Sequence, residues 1–216
     1  MSIDYFGRAR AEVIPCLPSG ARRVLELGCG NGATLEAVKE CLGAPDGMWL
    51  AGVELNSAMA AVAHRIADRV WVGNAEELDF ADEIEPKSLD AILCLDVLEH
   101  LVDPWKTVRR LSTLLKPGGR LIASIPNVRH WKFIWNLLFK ADFRYRDSGL
   151  LDRTHLRFFV KSTACELVTC GGLRLYAALP SRPFMPMDVR WLLQKVTANR
   201  LEELLVKQYL YVAEAE

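Results

Sequence analysis

Three short stretches hold residue types and spacings that could do chemistry. The first is Glu26-Leu27-Gly28-Cys29-Gly30-Asn31-Gly32. Glycines at this density let a backbone turn sharply and approach a ligand, and a following helix would aim its free N–H groups there. The second is Glu54, 22 positions after Gly32. A carboxylate so placed can accept hydrogen bonds from two vicinal ribose hydroxyls. The third is Asp96-Val97-Leu98-Glu99-His100. The glycine loop and Glu54 together describe a site for an adenosine-containing ligand. Gly28, Gly30 and Ala33 also fit the dinucleotide pattern G-x-G-x-x-G/A, so these residues alone leave the cofactor class open.

Proton transfer near neutral pH favours histidine. The chain has His64, His100, His130 and His155. His64 falls on the polar side of an expected helix and reads as a surface residue. His155, His130 and His100 are the candidate catalytic bases, in that order. The first two lie in an aromatic stretch, residues 127–160, with seven Lys/Arg against three Asp. Asp152-Arg153 beside His155 reads equally as a buried ion pair that fixes the loop. Asp96, Glu99 and His100 stand at i, i+3 and i+4, but that spacing alone does not single out a cation site. The six cysteines form no C-x-x-C pair, so zinc is not expected and no metal ligand is assigned.

The elements that must position these groups alternate. Apolar strand-like runs fall at residues 23–27, 49–53, 70–72, 89–95 and 120–125. Helical patterns lie between them: residues 33–41 with Gly43 as a C-terminal stop, then a helix capped by Ser57, then one with Asp103 as N-cap and Pro104 as first residue. Trp105, Val108, Leu111 and Leu115 would form the apolar face of the last, with Lys116-Pro117-Gly118-Gly119 stopping it. Strands alternating with helices imply a parallel sheet covered on both faces. Beyond Pro126 the pattern changes. Residues 127–160 and 181–207 read as insertions that cap an acceptor site, in a single domain of residues 1–216. Helices are expected at 162–170 and 187–207, and strands at 173–179 and 209–213.

Further signals join the glycine loop and Glu54 in chain order: Asn74-Ala75-Glu76 after the third strand, Asp96 to His100 after the fourth, and Leu115-Lys116-Pro117-Gly118-Gly119-Arg120-Leu121 before the fifth. Together they resemble the class I S-adenosylmethionine-dependent methyltransferases over residues 20–125. The resemblance implies a Rossmann-like α/β fold: a seven-stranded, mostly parallel sheet with helices on both faces and an antiparallel C-terminal hairpin. It implies S-adenosylmethionine as cofactor and S-adenosylhomocysteine as product. Gly28, Cys29, Gly30 and Gly32 would pass the ribose and methionine parts. Glu26 would sit near the cofactor ammonium, through water or through backbone positioning. Glu54, with Leu55 after it, would hold the ribose. Asn74, Ala75 and Glu76 would lie at the adenine. Many members carry an aspartate where this chain has Asn74, whose amide oxygen can still accept from the adenine amino group. Leu95 and Asp96 would line the sulfonium end.

Two later segments, Ser124-Ile125-Pro126-Asn127-Val128-Arg129-His130-Trp131 and residues 149–159, resemble methyltransferases of bacterial surface-polysaccharide biosynthesis. That resemblance implies a sugar hydroxyl as acceptor. An aromatic or quinone-type acceptor is the alternative, and a non-catalytic binder of S-adenosylmethionine is the alternative of another class. The basic residues of 127–160 suit a phosphate-bearing sugar. Trp131, Trp135 and Phe139 recur at a spacing of four. They are expected to pack this segment on the core, or to rest an amphipathic edge on a membrane.

Composition bounds the rest. The chain has 216 residues, 51% hydrophobic and 25% charged, with 27 basic and 27 acidic residues. One domain with accessories fits that length. Zero formal charge argues against a nucleic-acid binder that works by global charge. No run reaches the ~20 apolar residues of a membrane span. Residues 1–10 lack the apolar core of a signal peptide, and a cytoplasmic location with reduced thiols is expected.

Overall fold

The computed structural model describes residues 9–182 and 201–216. Strands β1 (Arg23–Leu27), β2 (Trp49–Glu54), β3 (Arg69–Val72), β4 (Leu89–Leu95), β5 (Leu115–Pro126), β6 (Arg174–Pro180) and β7 (Gln208–Glu214) form one sheet in the order β3-β2-β1-β4-β5-β7-β6. The first five pair in parallel. β7 runs antiparallel between β5 and β6. This is the Rossmann-like arrangement with an antiparallel terminal hairpin that the sequence led us to expect. The insertion of β7 between β5 and β6 separates it from the plain dinucleotide order 3-2-1-4-5-6.

The strands alternate side chains between two cores, as a pleated sheet must. Leu25, Leu27, Ile92 and Cys94 face one layer, with Val108 and Leu111 of α3 (Pro104–Ser112) and Leu167 and Val168 of α5 (Lys161–Thr169). Val24, Leu50, Ala91 and Leu93 face the other, with Leu35 and Val38 of α1 (Ala33–Cys41) and Ala60 and Ala63 of α2 (Ser57–Ala63). Every residue of β4 is buried, the expected state of a central parallel strand.

Two local expectations are corrected. Asn56, not Ser57, caps α2, its side-chain oxygen accepting from Ala58 N and Met59 N at 3.0 and 3.2 Å. Asp103 does cap α3, accepting from Lys106 N at 2.9 Å, but α3 ends at Ser112. Leu115 already belongs to β5, and residues 116–119 form an irregularity within that strand, between the pairs Leu89–Leu115 and Ala91–Arg120. Glycine is required at 119, because a Cβ there would lie 2.8 Å from Lys116 O and 2.9 Å from Leu89 O.

After β5, α4 (Trp131–Lys140) and a long loop precede α5. α4 has no buried residue; Trp131 is 45%, Trp135 50%, Leu138 68% and Phe139 68% exposed. The expected packing of these aromatics on the core is therefore not what the fold shows. The expected helix over 187–207 lies mostly outside the described residues. Within them, Glu202–Leu205 forms one short helical turn, α6. Buried Asn127 ties that segment to the end of β5, donating to Glu203 O at 2.7 Å and Val206 O at 2.8 Å.

Candidate active site

The carboxyl ends of β1, β2 and β4 meet where an open α/β sheet places its ligand. The loop after β1 needs its glycines. Gly28, Gly30 and Gly32 have φ of +67°, +54° and +85°, and a Cβ on Gly28 would lie 2.5 Å from Val97 Cγ2. Gly28 N and Cys29 N donate to Val53 O at 2.8 and 3.2 Å, which folds the loop over β2. The Cys29 side chain is buried against Gly52, so only its backbone can face a ligand. Burial, then the nearby Glu26 and Glu54 carboxylates, push that thiol up out of its reactive range.

Glu54 is buried and spans the loop. One oxygen accepts from Gly30 N and the other from Asn56 N, each at 2.8 Å. A carboxylate has about four lone-pair sites, so two acceptor positions remain for hydroxyls. Leu55, next along, is 74% exposed. Glu26 is 3% exposed, and its Oε2 has no partner. Burial raises its carboxyl to about 8, against the Thr34 hydroxyl and the Arg10 charge, which pull it down. An orphaned acid beneath the glycine loop fits a ligand that brings a donor or a cation.

After β3, Asn74 closes a turn. Its oxygen accepts from Glu76 N at 3.0 Å, and its nitrogen donates to Glu77 Oε1 at 3.1 Å. Ala75 packs partly buried against the core. The Glu76 carboxylate accepts from Val102 N at 2.9 Å and Asp103 N at 2.7 Å. It positions the start of α3, a role that its place in the expected adenine set does not describe.

Beyond Leu95, buried at the end of β4, Asp96 has a φ of +58° and joins a cluster that sequence reasoning missed. Arg10 Nη1 reaches Asp96 Oδ2 at 2.5 Å and Arg10 Nη2 reaches Ser124 Oγ at 3.0 Å. Gln208 Nε2 donates to Asp96 and, at 2.7 Å, to Ser124 Oγ. Three distant segments supply Arg10, Ser124 and Gln208, and no local spacing brings them together.

The three histidines separate. His100 and His155 stack edge to face with centroids 4.7 Å apart. His155 is buried, with Nδ1 3.2 Å from Leu150 O; His100 Nδ1 is 3.1 Å from Thr154 O. Burial, then the neighbouring His100, hold the His155 imidazole below its usual value. Glu99 lies beneath them, and Leu156 N and Arg157 N donate to its backbone carbonyl at 2.9 and 3.0 Å. These bonds clamp the 150s loop to the turn after β4. Burial, then the Asp96 charge, raise the Glu99 carboxyl well above the usual carboxylate range. The expected Asp152–Arg153 pair does not form. Asp152 is buried and accepts from Thr154 N and Oγ1 at 2.9 and 2.6 Å, whereas exposed Arg153 pairs with Asp147 at 2.8 Å.

His130 stands apart, at the start of α4, on the wall of a cavity of about 820 Å³. Gln208 and Leu150 also line it, which joins the cavity to the Asp96 cluster and to His155. Among the described residues its wall carries four cations, Lys132, Arg146, Arg182 and Lys207, and one acid, Asp142.

Residues 25–121 match a family model described as a methyltransferase domain. A ubiquinone biosynthesis O-methyltransferase of Xanthomonas campestris pv. campestris is 31% identical over 164 residues, covering 70% of this chain and 65% of that protein. Another of that description, from Coxiella burnetii, is 26% identical over 157 residues, covering 71% and 64%. The chain thus spans less than two thirds of the length of these relatives. Among solved structures, a SAM-dependent methyltransferase from Archaeoglobus fulgidus superposes with a TM-score of 0.64 at 19% identity, over 99% of this chain and 94% of that one. That likeness is one of fold. The matched residues run from β1 into β5 and include the glycine loop, Glu54 and the turn after β4.

Proposed function

We propose that the chain transfers the methyl group of S-adenosylmethionine to a hydroxyl of a small molecule that carries an anionic group, in first place a phosphate-bearing sugar. The observation that carries this reading is the cavity of about 820 Å³ beside the Asp96 cluster, with four cations and one acid on its wall. Arg and Lys in that balance favour phosphate oxygens. The resemblance of residues 124–131 and 149–159 to surface-polysaccharide methyltransferases supports the sugar.

The cofactor supplies a methyl already activated on a sulfonium, so the protein's work is alignment and exclusion of water. Glu54 and the amides of the glycine loop would hold the ribose end. Glu26 would meet the ammonium. Asn74 and Ala75 would lie at the adenine, Asn74 through its turn and Ala75 through its packed side. Leu95 and Asp96 would line the sulfonium end, where Arg10, Ser124 and Gln208 fix the Asp96 carboxylate. We place His155, with His100 beside it, at the acceptor hydroxyl, and His130 on the cavity wall that meets the rest of the acceptor.

A quinone-type aromatic acceptor is the second reading. The names of the relatives favour it, as do Trp131 and Phe133 on the cavity wall. Exposed Trp135, Leu138 and Phe139 of α4, with Lys132 and Lys140 among them, suit a membrane edge under either acceptor if it is borne on lipid. No helix among the described residues is long and apolar enough to cross one.

The test is calorimetry with S-adenosylhomocysteine and NAD, followed by methyl-labelled cofactor with nucleotide-linked sugars, diphosphate-lipid-linked sugars and hydroxylated aromatic acids. Label on a sugar supports the first reading, label on an aromatic ring the second. S-adenosylhomocysteine binding without label transfer to any hydroxyl would favour the non-catalytic binder.

A further inference from the structure

Two cations on the cavity wall are tied by the backbone to the two sides of the proposed reaction. Lys207 directly precedes Gln208, whose Nε2 donates to Asp96 and, at 2.7 Å, to Ser124 Oγ. Consecutive Cα atoms stand ~3.8 Å apart and a lysine stem extends ~6 Å, so the Lys207 ammonium stays within ~10 Å of the Gln208 backbone. Arg146 is bound to the segment that carries His155. It pairs with Asp152 in an isolated bridge, its N–H donates to Leu151 O at 2.8 Å, and its carbonyl accepts from Arg153 N at 3.0 Å. Asp152 O in turn accepts from His155 N at 3.0 Å. The positive charge of this wall is open to a ligand. Asp142 is already held by Arg144, which donates to Oδ1 at 2.9 Å and to Oδ2 at 3.0 Å, and it lies 3.8 Å from Arg146. Among the described residues, no acid forms an ion pair with Lys132 or Lys207.

We propose that Arg146 and Lys207 read a diphosphate, and that the acceptor is a monosaccharide borne on a diphosphate ester of a nucleoside or a lipid. This deepens the proposed function and rests on its placement of the methyl at Asp96 and of the hydroxyl at His155. The short reach of Lys207 sets the spacing: the anion lies on the linkage of the methylated sugar itself, not on a remote unit of a longer chain. The four cations come from α4, the loop before Asp152, the chain after β6 and the residue before β7. They surround the volume instead of marking one point, which suits two linked phosphoryl groups. Arg146 offers a planar fork to two oxygens, and Lys207 a point charge on a flexible stem. A cavity of about 820 Å³ has room for the diphosphate as well as the sugar ring. In the transfer the methyl carbon bonds to the sugar oxygen and its bond to sulfur breaks. The electron pair stays on S-adenosylhomocysteine, and the hydroxyl proton goes to His155. The diphosphate ester is untouched, so the reaction that consumes the product is a glycosyl transfer with the diphosphate as leaving group.

Full-length protein saturated with S-adenosylhomocysteine is titrated by calorimetry with inorganic pyrophosphate and, separately, with inorganic phosphate. The expected result is one equivalent of pyrophosphate, bound at least ~10-fold tighter than phosphate and weakened ~10-fold or more in Arg146→Gln and in Lys207→Gln. Both side chains are exposed, so the variants keep the fold. S-adenosylhomocysteine affinity, measured on each protein, should not change, and a failed cofactor reading shows there. Methyl-labelled cofactor is then offered with nucleoside-diphosphate hexoses, a polyprenyl-diphosphate hexose in detergent, hexose 1-phosphates and hydroxylated aromatic acids. Label on a diphosphate-linked hexose is expected, with KM raised ~10-fold in both variants and kcat nearly kept. The arm that takes the label identifies the carrier. Pyrophosphate that fails to bind, binds no tighter than phosphate, or binds the variants equally overturns the diphosphate subsite. Label on a hexose 1-phosphate with unchanged KM in the variants overturns it too and leaves the proposed function standing. Label confined to the aromatic acids overturns the sugar reading and this acceptor with it.

Discussion

Among the described residues, each half of the candidate site buries one carboxylate that the fold leaves wanting a partner, and the two are built differently. Glu26 is the penultimate residue of β1, which pairs with β2 and β4, and its orphaned oxygen sits beneath the loop of residues 28–32 that follows directly. Glu99 acquires its surroundings from residues 150–157, which return to it after more than fifty positions. The first half is a site made by local geometry, and the second is one made by a long-range clamp. Disturbing the first should cost cofactor binding, and disturbing the second should cost turnover.

The largest expected effect lies in the second half. His155→Ala should lower turnover by ~10²–10⁴, the usual cost of losing a group that handles the acceptor proton, with S-adenosylhomocysteine affinity nearly intact. Steady-state rates and calorimetry on the same preparation check it. If cofactor affinity falls in parallel, the 150s loop reaches the cofactor and the division into halves breaks down.

Gly30→Val is the counterpart in the first half. Its φ of +54° disfavours a β-branched side chain, and Gly30 N is one of the two donors that hold Glu54. S-adenosylhomocysteine affinity should fall by more than ~100-fold, a change that strain of ~1–3 kcal/mol and a filled ligand space together can supply. Unchanged affinity in the folded variant would remove the glycine loop from the site.

Glu54→Ala follows, at ~10-fold or more, because charge-assisted bonds are worth ~1.5–3 kcal/mol. The structure adds a second route to the same loss. Glu54 holds Gly30 N and Asn56 N, so the variant also loosens the loop. Glu54→Gln separates the two. Its amide oxygen can keep one N–H bond but accepts ribose hydroxyls more weakly, so an affinity between those of wild type and Glu54→Ala is expected. An effect below twofold in both would place the ribose elsewhere.

Legibility in the sequence follows the same division. β1 to β5 and the glycine loop could be read because their signals are local: apolar runs, a cap at Asp103, glycines where φ turns positive. Period and propensity cannot say what a chain returns to. Trp131, Trp135 and Phe139 repeat at helical spacing as a core face would, yet α4 leaves them exposed. Arg10 and Gln208 meet Asp96 across 86 and 112 positions. Asp152-Arg153 looked like an ion pair by adjacency, but neighbours along a chain point apart, and each found another partner. His155 is a candidate by its residue type and its place in residues 127–160; its pairing with His100 and Glu99 needed the fold.

The smallest effect is the one that tells the two carboxylates apart. Glu26 has a folded-state value near 8 against an ordinary 4.5, with burial as the main cause. The folded protein therefore keeps a proton that the unfolded chain has lost across that window. Stability should fall as pH rises from about 4.5 to about 8 and level off above, and Glu26→Gln should flatten that slope. Binding tests the same proton from the other side. At pH 7 the free protein holds Glu26 neutral, and an ammonium brought against its orphaned oxygen would favour the ionised form. S-adenosylhomocysteine binding should then expel up to about one proton, read by calorimetry in two buffers of different ionisation enthalpy. The release should fade above the Glu26 value and vanish in Glu26→Gln. Buffer-independent binding heats in wild type would mean that Glu26 stays protonated under the ligand, donating to the cofactor or to a water instead of pairing with its ammonium.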